Sequence, residues 1–428
     1  MKIQIENIGC KVNMVEAESI AELFQQRGHK IVKRGADVVV INTCCVTTEA
    51  EAKSRQAIRR ALKNGSEVAI MGCYGQLSPD ELKQMGVRVI IGTAQRQSIV
   101  DKVEAMADEP KVELTAYDKI FGETEKVTIP ELATEYEELP HTPSKTRAFI
   151  KIQDGCNGGC TYCVIPTVRG ASRSRSLESI KKECKQLSKY KEIVLTGINL
   201  GMYGKDNGSS LADAIKTVLS STKARIRLSS INPNAMTDDI IELLRDKPRL
   251  CKHIHIPLQS GSDAVLEMMH RPYKTADFKQ VVERLKTEIP KITIGTDVIL
   301  GFSGETLPMF RETMKFLEEM PIDYMHVFGY SPRPGTIAAE MTQIASQKKK
   351  ARVNYVISLA TKKNLAYRQS LQGKKVEVLT EVKKGGYTEG YSGEYVKVYT
   401  EDDVPLNEIV KLKVVEPFKD GVLGKVDS

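Results

Sequence analysis

Hydrophobic and polar positions divide the chain into two stretches of one pattern and a third of another. In the first, short apolar runs of strand length alternate with segments whose apolar residues recur every three or four positions. KIQIENIG (2–9), DVVVIN (37–42), EVAIMG (67–72) and RVIIG (88–92) predict strands, and 14–27, 48–63, 78–84 and 95–107 predict the helices between them. Near-continuous apolar strands separated by helices predict a parallel sheet, so residues 1–107 are expected to form a small parallel α/β domain. The alternation returns in FIKIQ (149–153), EIVLTG (192–197), RIRLSS (225–230), HIHIPLQ (253–259), ITIGTDVILGF (292–302) and DYMHVFGYS (323–331). Helices are predicted over 176–190, 209–221, 237–246, 262–269, 275–288 and 306–319. Six such strands predict a partial (β/α)6 barrel over 147–370, with ligands at the C-terminal strand ends. From 371 to 428 the pattern becomes short alternating strands separated by glycines and acidic turns, which predicts a small all-β barrel. The expected fold class is α/β with this terminal β-barrel.

Composition adds boundaries. With 41% hydrophobic and 28% charged residues in 428, the chain is neither collagen-like nor disordered. No apolar run approaches the ~18–20 residues that span a bilayer, and MKIQIENIGCKVN lacks the apolar stretch of a signal peptide. A cytoplasmic protein without membrane contact is expected, its nine cysteines kept as thiols. Residues 108–146 hold ten acidic and four basic residues and four prolines, which reads as an acidic linker. The net charge of +8 therefore understates the basic character of the rest. Arg147, Arg169, Arg173 and Arg175 flank a cysteine-rich loop and are candidate contacts for nucleic-acid phosphates. Lys348–Lys350 with Arg352 is either a second such contact or a solvated helix face.

The chemistry lies in the cysteines. Cys156-Asn-Gly-Gly-Cys160-Thr-Tyr-Cys163 follows the first barrel strand. At this cysteine frequency a C-x3-C-x2-C run arises by chance in roughly one chain in 250. Structural zinc wants four ligands, and the loop offers no fourth Cys or His. A [4Fe–4S] cluster on three cysteines leaves one iron open to a substrate; zinc or plain structural thiols are the alternatives. Cys10, Cys44 and Cys73 each follow one of the first three strands. In a parallel sheet those ends share one edge, so the three thiols are expected to converge and hold a second cluster, unless they are buried packing residues. Cys45 sits beside Cys44, and adjacent side chains of an extended segment point to opposite sides, so only one of the two is expected to serve. Cys184 shares a helix face with Leu177, Ile180 and Leu187 and reads as core; Cys251 is left as structural.

IGCKVN (8–13), NTCCVT (42–47), GCYGQ (72–76), GCNGGCTYCVIPTVRGASRSR (155–175), PLQSGSD (257–263), GFSGET (301–306) and YSPRPGT (330–336) resemble the radical S-adenosylmethionine methylthiotransferases over nearly the whole chain. LTGINLGMYG (195–204) and NTC followed by Val-Thr point to the branch acting on N6-threonylcarbamoyladenosine in tRNA. The family motif favours Cys44 over Cys45. The chain departs from the family at Gly75, usually Ala; at Asn-Gly-Gly, where Asn-Asn-x is commoner; and at His270, usually Asn.

The resemblance implies two [4Fe–4S] clusters, one on Cys156, Cys160 and Cys163 and one on Cys10, Cys44 and Cys73. The first binds S-adenosylmethionine and, given an electron, yields the 5′-deoxyadenosyl radical that takes hydrogen from C2 of the adenine at tRNA position 37. The second carries the sulfur, which a first S-adenosylmethionine methylates before the methylthio group goes to C2. Gly197, Asn199, Ser229, Ser230, Gln259, Gly301 and Glu305, at successive strand ends, are the expected contacts of S-adenosylmethionine. A donor such as flavodoxin or ferredoxin, a monomeric state and an RNA-binding (TRAM) role for the terminal barrel are implied as well. That barrel has a net charge of −2 over 371–428, and Tyr387, Tyr391, Tyr395 and Tyr399 are read as sheet packing or as base-stacking residues. Two sibling substrates stay open: isopentenyladenosine in tRNA and an aspartate of a ribosomal protein. So does a non-enzymatic iron–sulfur carrier or zinc-bearing RNA-binding scaffold.

Overall fold

A computed structural model describes residues 1–108, 129 and 131–426. Most of the expected acidic linker, 109–128 and 130, lies outside the described residues. The first domain is a five-stranded parallel sheet of order β2-β1-β3-β4-β5. Its strands are β1 (Lys2–Asn7), β2 (Lys30–Ile31), β3 (Val38–Thr43), β4 (Glu67–Gly72) and β5 (Val89–Ile90). The edge strand β2 was not among the expected elements; two residues carry too little pattern to announce themselves. Helices Lys11–Gln26, Thr48–Lys63 and Ser98–Asp108 cover the sheet. Thr48–Lys63 is capped by the Thr47 hydroxyl, which accepts from the Ala50 amide, with Glu49 and Glu51 in its first turn and Arg60 and Lys63 in its last. The register pairs Asn7 with Asn42 and Thr43 with Gly72. The C-terminal ends of β1, β3 and β4 are therefore nearly level, and their loops leave the sheet together.

The second domain carries β6 (Ala148–Asp154), β7 (Arg173–Ser174), β8 (Glu192–Gly197), β9 (Arg225–Leu228), β10 (His253–His255), β11 (Thr293–Leu300) and β12 (Tyr324–Gly329). β6, β8 and β9 run parallel, as do β10, β11 and β12. The Ile226–Leu250 bridge and the bond from the Ile231 amide to the His255 carbonyl join the two sets into one curved series. β7 is an unexpected antiparallel strand on β6. β10 is shorter than HIHIPLQ predicts, because Pro257 has no amide to donate and Gln259 turns to φ +69°.

Alternation along these strands gives the barrel two unlike faces. Ile150, Ile152, Ile193, Leu195, Ile226, Leu228, Ile254 and Ile294 point outward into the largest core, under the helices. Each such side chain contributes roughly 1.5–3 kcal/mol by leaving water. The inward face carries Lys151, Arg225, Arg227, His253, His255, Asp297 and His326. Helix Lys11–Gln26 of the first domain enters this inner side, with Val15 packed on Phe149 and Val194. The helix thus buries Ile20 and Phe24 in its own sheet and seals part of the barrel with its other face.

A 25-residue helix, Ser346–Ser370, leads to a closed five-stranded barrel, β13-β14-β15-β17-β16. These strands are β13 (Lys375–Lys384), β14 (Tyr387–Ser392), β15 (Lys397–Thr400), β16 (Ile409–Phe418) and β17 (Gly421–Val426). The helix was not predicted; only Val356 and Ala360 are buried along it, so it has almost no apolar stripe. Among the described residues, no helix is long and apolar enough to cross a membrane.

Candidate active site

The Cys156–Cys163 loop leaves the end of β6, and donors are aimed at its sulfurs. The Gly158 amide donates to Cys156 Sγ (3.3 Å), the Ile165 amide to Cys163 Sγ (3.4 Å) and the Arg271 guanidinium to Cys160 Sγ (3.0 Å). Asn199 Nδ2 lies 3.5 Å from Cys156 Sγ. Donors converging on sulfur favour thiolate, the form that ligates iron, so this donor set fits a three-cysteine cluster. Glycine is needed beneath: a Cβ on Gly158 would come within 3.2 Å of Cys156 Sγ. Two of the departures from the family pattern meet here. His270 Nδ1 is 2.9 Å from the Gly159 carbonyl oxygen, and a Cβ on Gly159 would be 2.9 Å from the same nitrogen. The larger ring at 270 and the bare backbone at 159 fit each other.

The second set forms at the level ends of β1, β3 and β4. Cys10 caps helix Lys11–Gln26, Cys44 follows β3, and Cys73 opens the short helix Cys73–Leu77. Cys10 Sγ donates to Asn13 Oδ1 (3.1 Å), and Arg169 Nε donates to Cys73 Sγ (3.3 Å). Burial pushes the Cys44 thiol up to about 11, with Cys73 and Cys10 adding to the rise. The Cys45 thiol bonded to Cys73 pulls Cys73 down; burial opposes this, and Arg169 helps bring it to about 6. Cys44 feels both Cys10 and Cys73, while Cys45 also reaches Cys73 and otherwise lies in the apolar cluster around Ile41, Ile58 and Tyr74.

Between the two sets runs a buried ionic lock. Arg169 holds Glu16 Oε1 and Asp154 Oδ1, both at 2.9 Å. Lys151 Nζ reaches Glu16 (2.8 Å) and Asp154 (2.6 Å), and Arg96 bridges Glu16, Asp154 and Glu137. Burial would raise the Glu16 carboxyl, but Arg169, Arg96 and Lys151 outweigh it and hold it far below the usual range. The lock ties the Cys10 helix to Asp154, two residues before Cys156.

Residues 150–317 match the Radical SAM superfamily and residues 2–92 match the Uncharacterized protein family UPF0004. A Threonylcarbamoyladenosine tRNA methylthiotransferase MtaB from Thermotoga maritima is 38% identical over 92% of this chain and 90% of its own. The Bacillus subtilis protein of the same name is 37% identical over 99% of this chain and 96% of its own. The chain belongs to the radical S-adenosylmethionine methylthiotransferases. At the level of fold alone, it is similar to the radical S-adenosylmethionine methyltransferase TsrM from Kitasatospora setae (TM-score 0.55, 12% identity, 76% of this chain and 72% of that one).

In this methylthiotransferase the expected contacts of S-adenosylmethionine divide. Asn199 lies at the cysteine loop and is steadied by Gln153 Oε1, which accepts from its amide at 2.7 Å. Gly197 stands beside the same Gln153, close enough that a Cβ would meet its side chain at 2.9 Å. Ser229 Oγ is buried without a partner, Ser230 Oγ bonds His255 Nδ1 (2.8 Å), and Gln259 bridges to Val298. The Glu305 side chain is fully buried; one carboxylate oxygen bonds Arg352 and the Gly301 amide (2.9 Å), and the other has no partner among the described residues. Gly301, at φ +68°, faces Lys349 of that helix.

The four arginines that flank the loop all find partners within the chain. Arg169 and Arg173 are buried, Arg173 bonding the Arg169 and Ala171 carbonyls. Arg175 pairs with Glu183, and Arg147 with Glu381 of the terminal barrel (2.6 Å). All four guanidiniums are used within the chain. In the basic run, Lys349 bonds the Tyr330 carbonyl and Arg352 bonds Glu305. Tyr391 and Tyr395 stack on each other (5.1 Å) beneath Arg147 and Arg227, at the contact between barrels. Arg225 and Arg227 also bind the Glu377, Tyr391, Ser392 and Gly393 carbonyls there.

Sequence reasoning missed Arg271, Met202 and Lys11. Met202 Sδ lies 3.9 Å from Cys156 Sγ; nothing in the local sequence marks it. Lys11 was visible only as the residue after Cys10. Burial lowers its ammonium to about 8, and Arg147 and Arg227 push the same way.

Proposed function

We propose that this protein transfers a methylthio group to C2 of N6-threonylcarbamoyladenosine in tRNA. The observation that carries the reading is the pairing of two three-thiol sets, one on a single barrel loop and one on three strand ends, joined by one buried ionic lock. The full-length likeness to the two named relatives supports the substrate. Two [4Fe–4S] clusters are assigned, on Cys156, Cys160 and Cys163 and on Cys10, Cys44 and Cys73. When bound, the clusters and S-adenosylmethionine supply the radical and the sulfur. The chain's own residues supply the rest. Gly158, Ile165 and Arg271 donate to the sulfurs of the first set, and Arg169 to Cys73. Asn199 holds a position next to Cys156, from which it can orient a ligand at that strand end. The lock and helix Lys11–Gln26 fix the distance between the two sets. A low-potential donor such as flavodoxin or ferredoxin, a monomeric state and a cytoplasmic location complete the proposal.

The test is nucleoside mass spectrometry of tRNA from a deletion strain. Loss of the methylthio form of threonylcarbamoyladenosine is expected; unchanged nucleosides would reject the function. Anaerobically purified protein should hold about eight irons per chain. About four, or zinc, would remove the second cluster.

A further inference from the structure

The inward face of the barrel holds polar atoms that have no hydrogen-bond partner among the described residues. His255, Asp297 and His326 stand on the adjacent parallel strands β10, β11 and β12, with Asp297 in register with His326. One ligating atom from each lies within 4.8 Å of the others. His255 Nδ1 is fixed by Ser230 Oγ at 2.8 Å. Its buried Nε2 is 3.2 Å from Asp297 Oδ1 but off the line of a hydrogen bond, and so is left unsatisfied. His326 has an exposed side chain with no hydrogen bond or ion pair among the described residues.

Lys11 enters the same space from the other domain. It opens helix Lys11–Gln26, whose Val15 packs against Phe149 and Val194 of the barrel, and its charge acts on His326 and is felt with that of Asp297. Among the described residues it has no ion pair and no side-chain hydrogen bond. An ammonium beside Cys10 that faces a polar strand and has no partner among the described residues is free to receive a negative group. That same ammonium argues against a metal ion on His255, Asp297 and His326, because it would repel a divalent cation at close range. Two strand positions on from His326, Phe328 points the same way and is 45% exposed. A flat apolar ring near an ammonium and an imidazole suits a base that carries an acidic substituent.

The substrate proposed above has such a substituent. A threonylcarbamoyl group ends in a carboxylate and also presents a hydroxyl and ureido N–H groups. Isopentenyl has none of these, and a wall of Lys, His and Asp would have to be desolvated against it for no return. We propose that Lys11, with His326 beside it, receives the carboxylate of the threonylcarbamoyl group, and that Asp297 accepts from its N–H or O–H donors. This rests on the functional reading given above. It assigns substrate discrimination to the residue that follows the first cysteine of the sulfur-carrying set.

The test uses the holoenzyme, checked for iron, and two anticodon stem-loops. One carries threonylcarbamoyladenosine and the other its neutral carboxamide. Wild type should prefer the acid by about tenfold or more in KM, the size of one charge-assisted contact. Lys11→Met should raise KM for the acid to that of the amide, with kcat within about twofold. Lys11→Arg should retain the preference. Should Lys11→Met lose iron through its neighbour Cys10, His326→Phe provides the second reading, with the preference falling about threefold. Equal KM values for acid and amide in wild type, or a preference that survives Lys11→Met, would overturn the assignment to Lys11. No methylthiolation of either stem-loop by iron-loaded wild type would instead reject the functional reading.

Discussion

The two thiol sets are built by opposite routes. Cys156, Cys160 and Cys163 lie within eight residues on one loop, partly exposed, and the amides of Gly158 and Ile165 support them alongside the Arg271 and Asn199 side chains. Cys10, Cys44 and Cys73 are brought together only by sheet register, and the guanidinium that supports Cys73 comes from the other domain, 96 residues away in sequence. A local loop brings its own ligands together and takes its outside support from within one domain. A convergent site needs an intact fold on both sides, so the same kind of ligand set depends on very different parts of the molecule.

The strongest way to break this comparison is to remove one cysteine from each set. Cys156→Ala should abolish formation of 5′-deoxyadenosine and remove about four of the eight irons. Cys44→Ala should remove the other four and end methylthiolation, yet leave reductive cleavage of S-adenosylmethionine. Iron content and 5′-deoxyadenosine yield, measured together, check both. If Cys156→Ala still makes 5′-deoxyadenosine, the assignment of the local loop is wrong. Cys45→Ala decides between the neighbours, because the Cys45 thiol also reaches Cys73; full iron with Cys45 removed would leave Cys44 as the ligand, and loss of about four irons would assign Cys45 instead.

Next in size is the lock. Arg169 is buried between Glu16 and Asp154 and also donates to Cys73. Arg169→Met leaves two carboxylates with one fewer cation in a dry environment, which costs about 3–5 kcal/mol. A lower urea midpoint is expected, with iron lost first from the convergent set. A change below about 1 kcal/mol would show that Arg96 and Lys151 suffice and that the two sets are less tightly joined than the contacts imply.

Periodicity exposed most of the fold, because buried parallel strands and amphipathic helices leave strong patterns. It also placed the six cysteines at strand ends, since that inference needs only strand order and direction. What it could not expose was the use of charge. Arg169, Arg173 and Arg175 sit in a basic run beside a functional loop, and in sequence they look like a surface for phosphate. Their carboxylate partners, Glu16, Asp154 and Glu183, are up to 153 residues away, and no local signal reports a long-range ion pair. The helix Ser346–Ser370 escaped for the opposite reason: with two buried residues it has no stripe to detect. Lys11 escaped because its meaning depends on what it lacks.

The smallest expected effect concerns how the segment before β6 joins the two domains. His141 is buried between Glu18 of helix Lys11–Gln26 (3.0 Å) and Glu183 of helix Leu177–Gln186 (2.9 Å), with Arg175 on the far side of Glu183 and Ser144 on Glu18. Burial alone would lower its pKa, but the two carboxylates outweigh it and raise it to about 9. An unfolded histidine titrates near 6.5. The folded form therefore binds the proton more tightly, and its stabilisation is complete below pH about 6.5 and lost as pH rises through 9. A rise of that size corresponds to about 3 kcal/mol. Unfolding of wild type and His141→Gln at pH 6 and pH 9.5 tests this. The gap between them should be largest at pH 6 and shrink at pH 9.5, and taking the difference cancels the groups that titrate in both proteins. A gap that does not change with pH would mean that His141 joins the domains by shape alone.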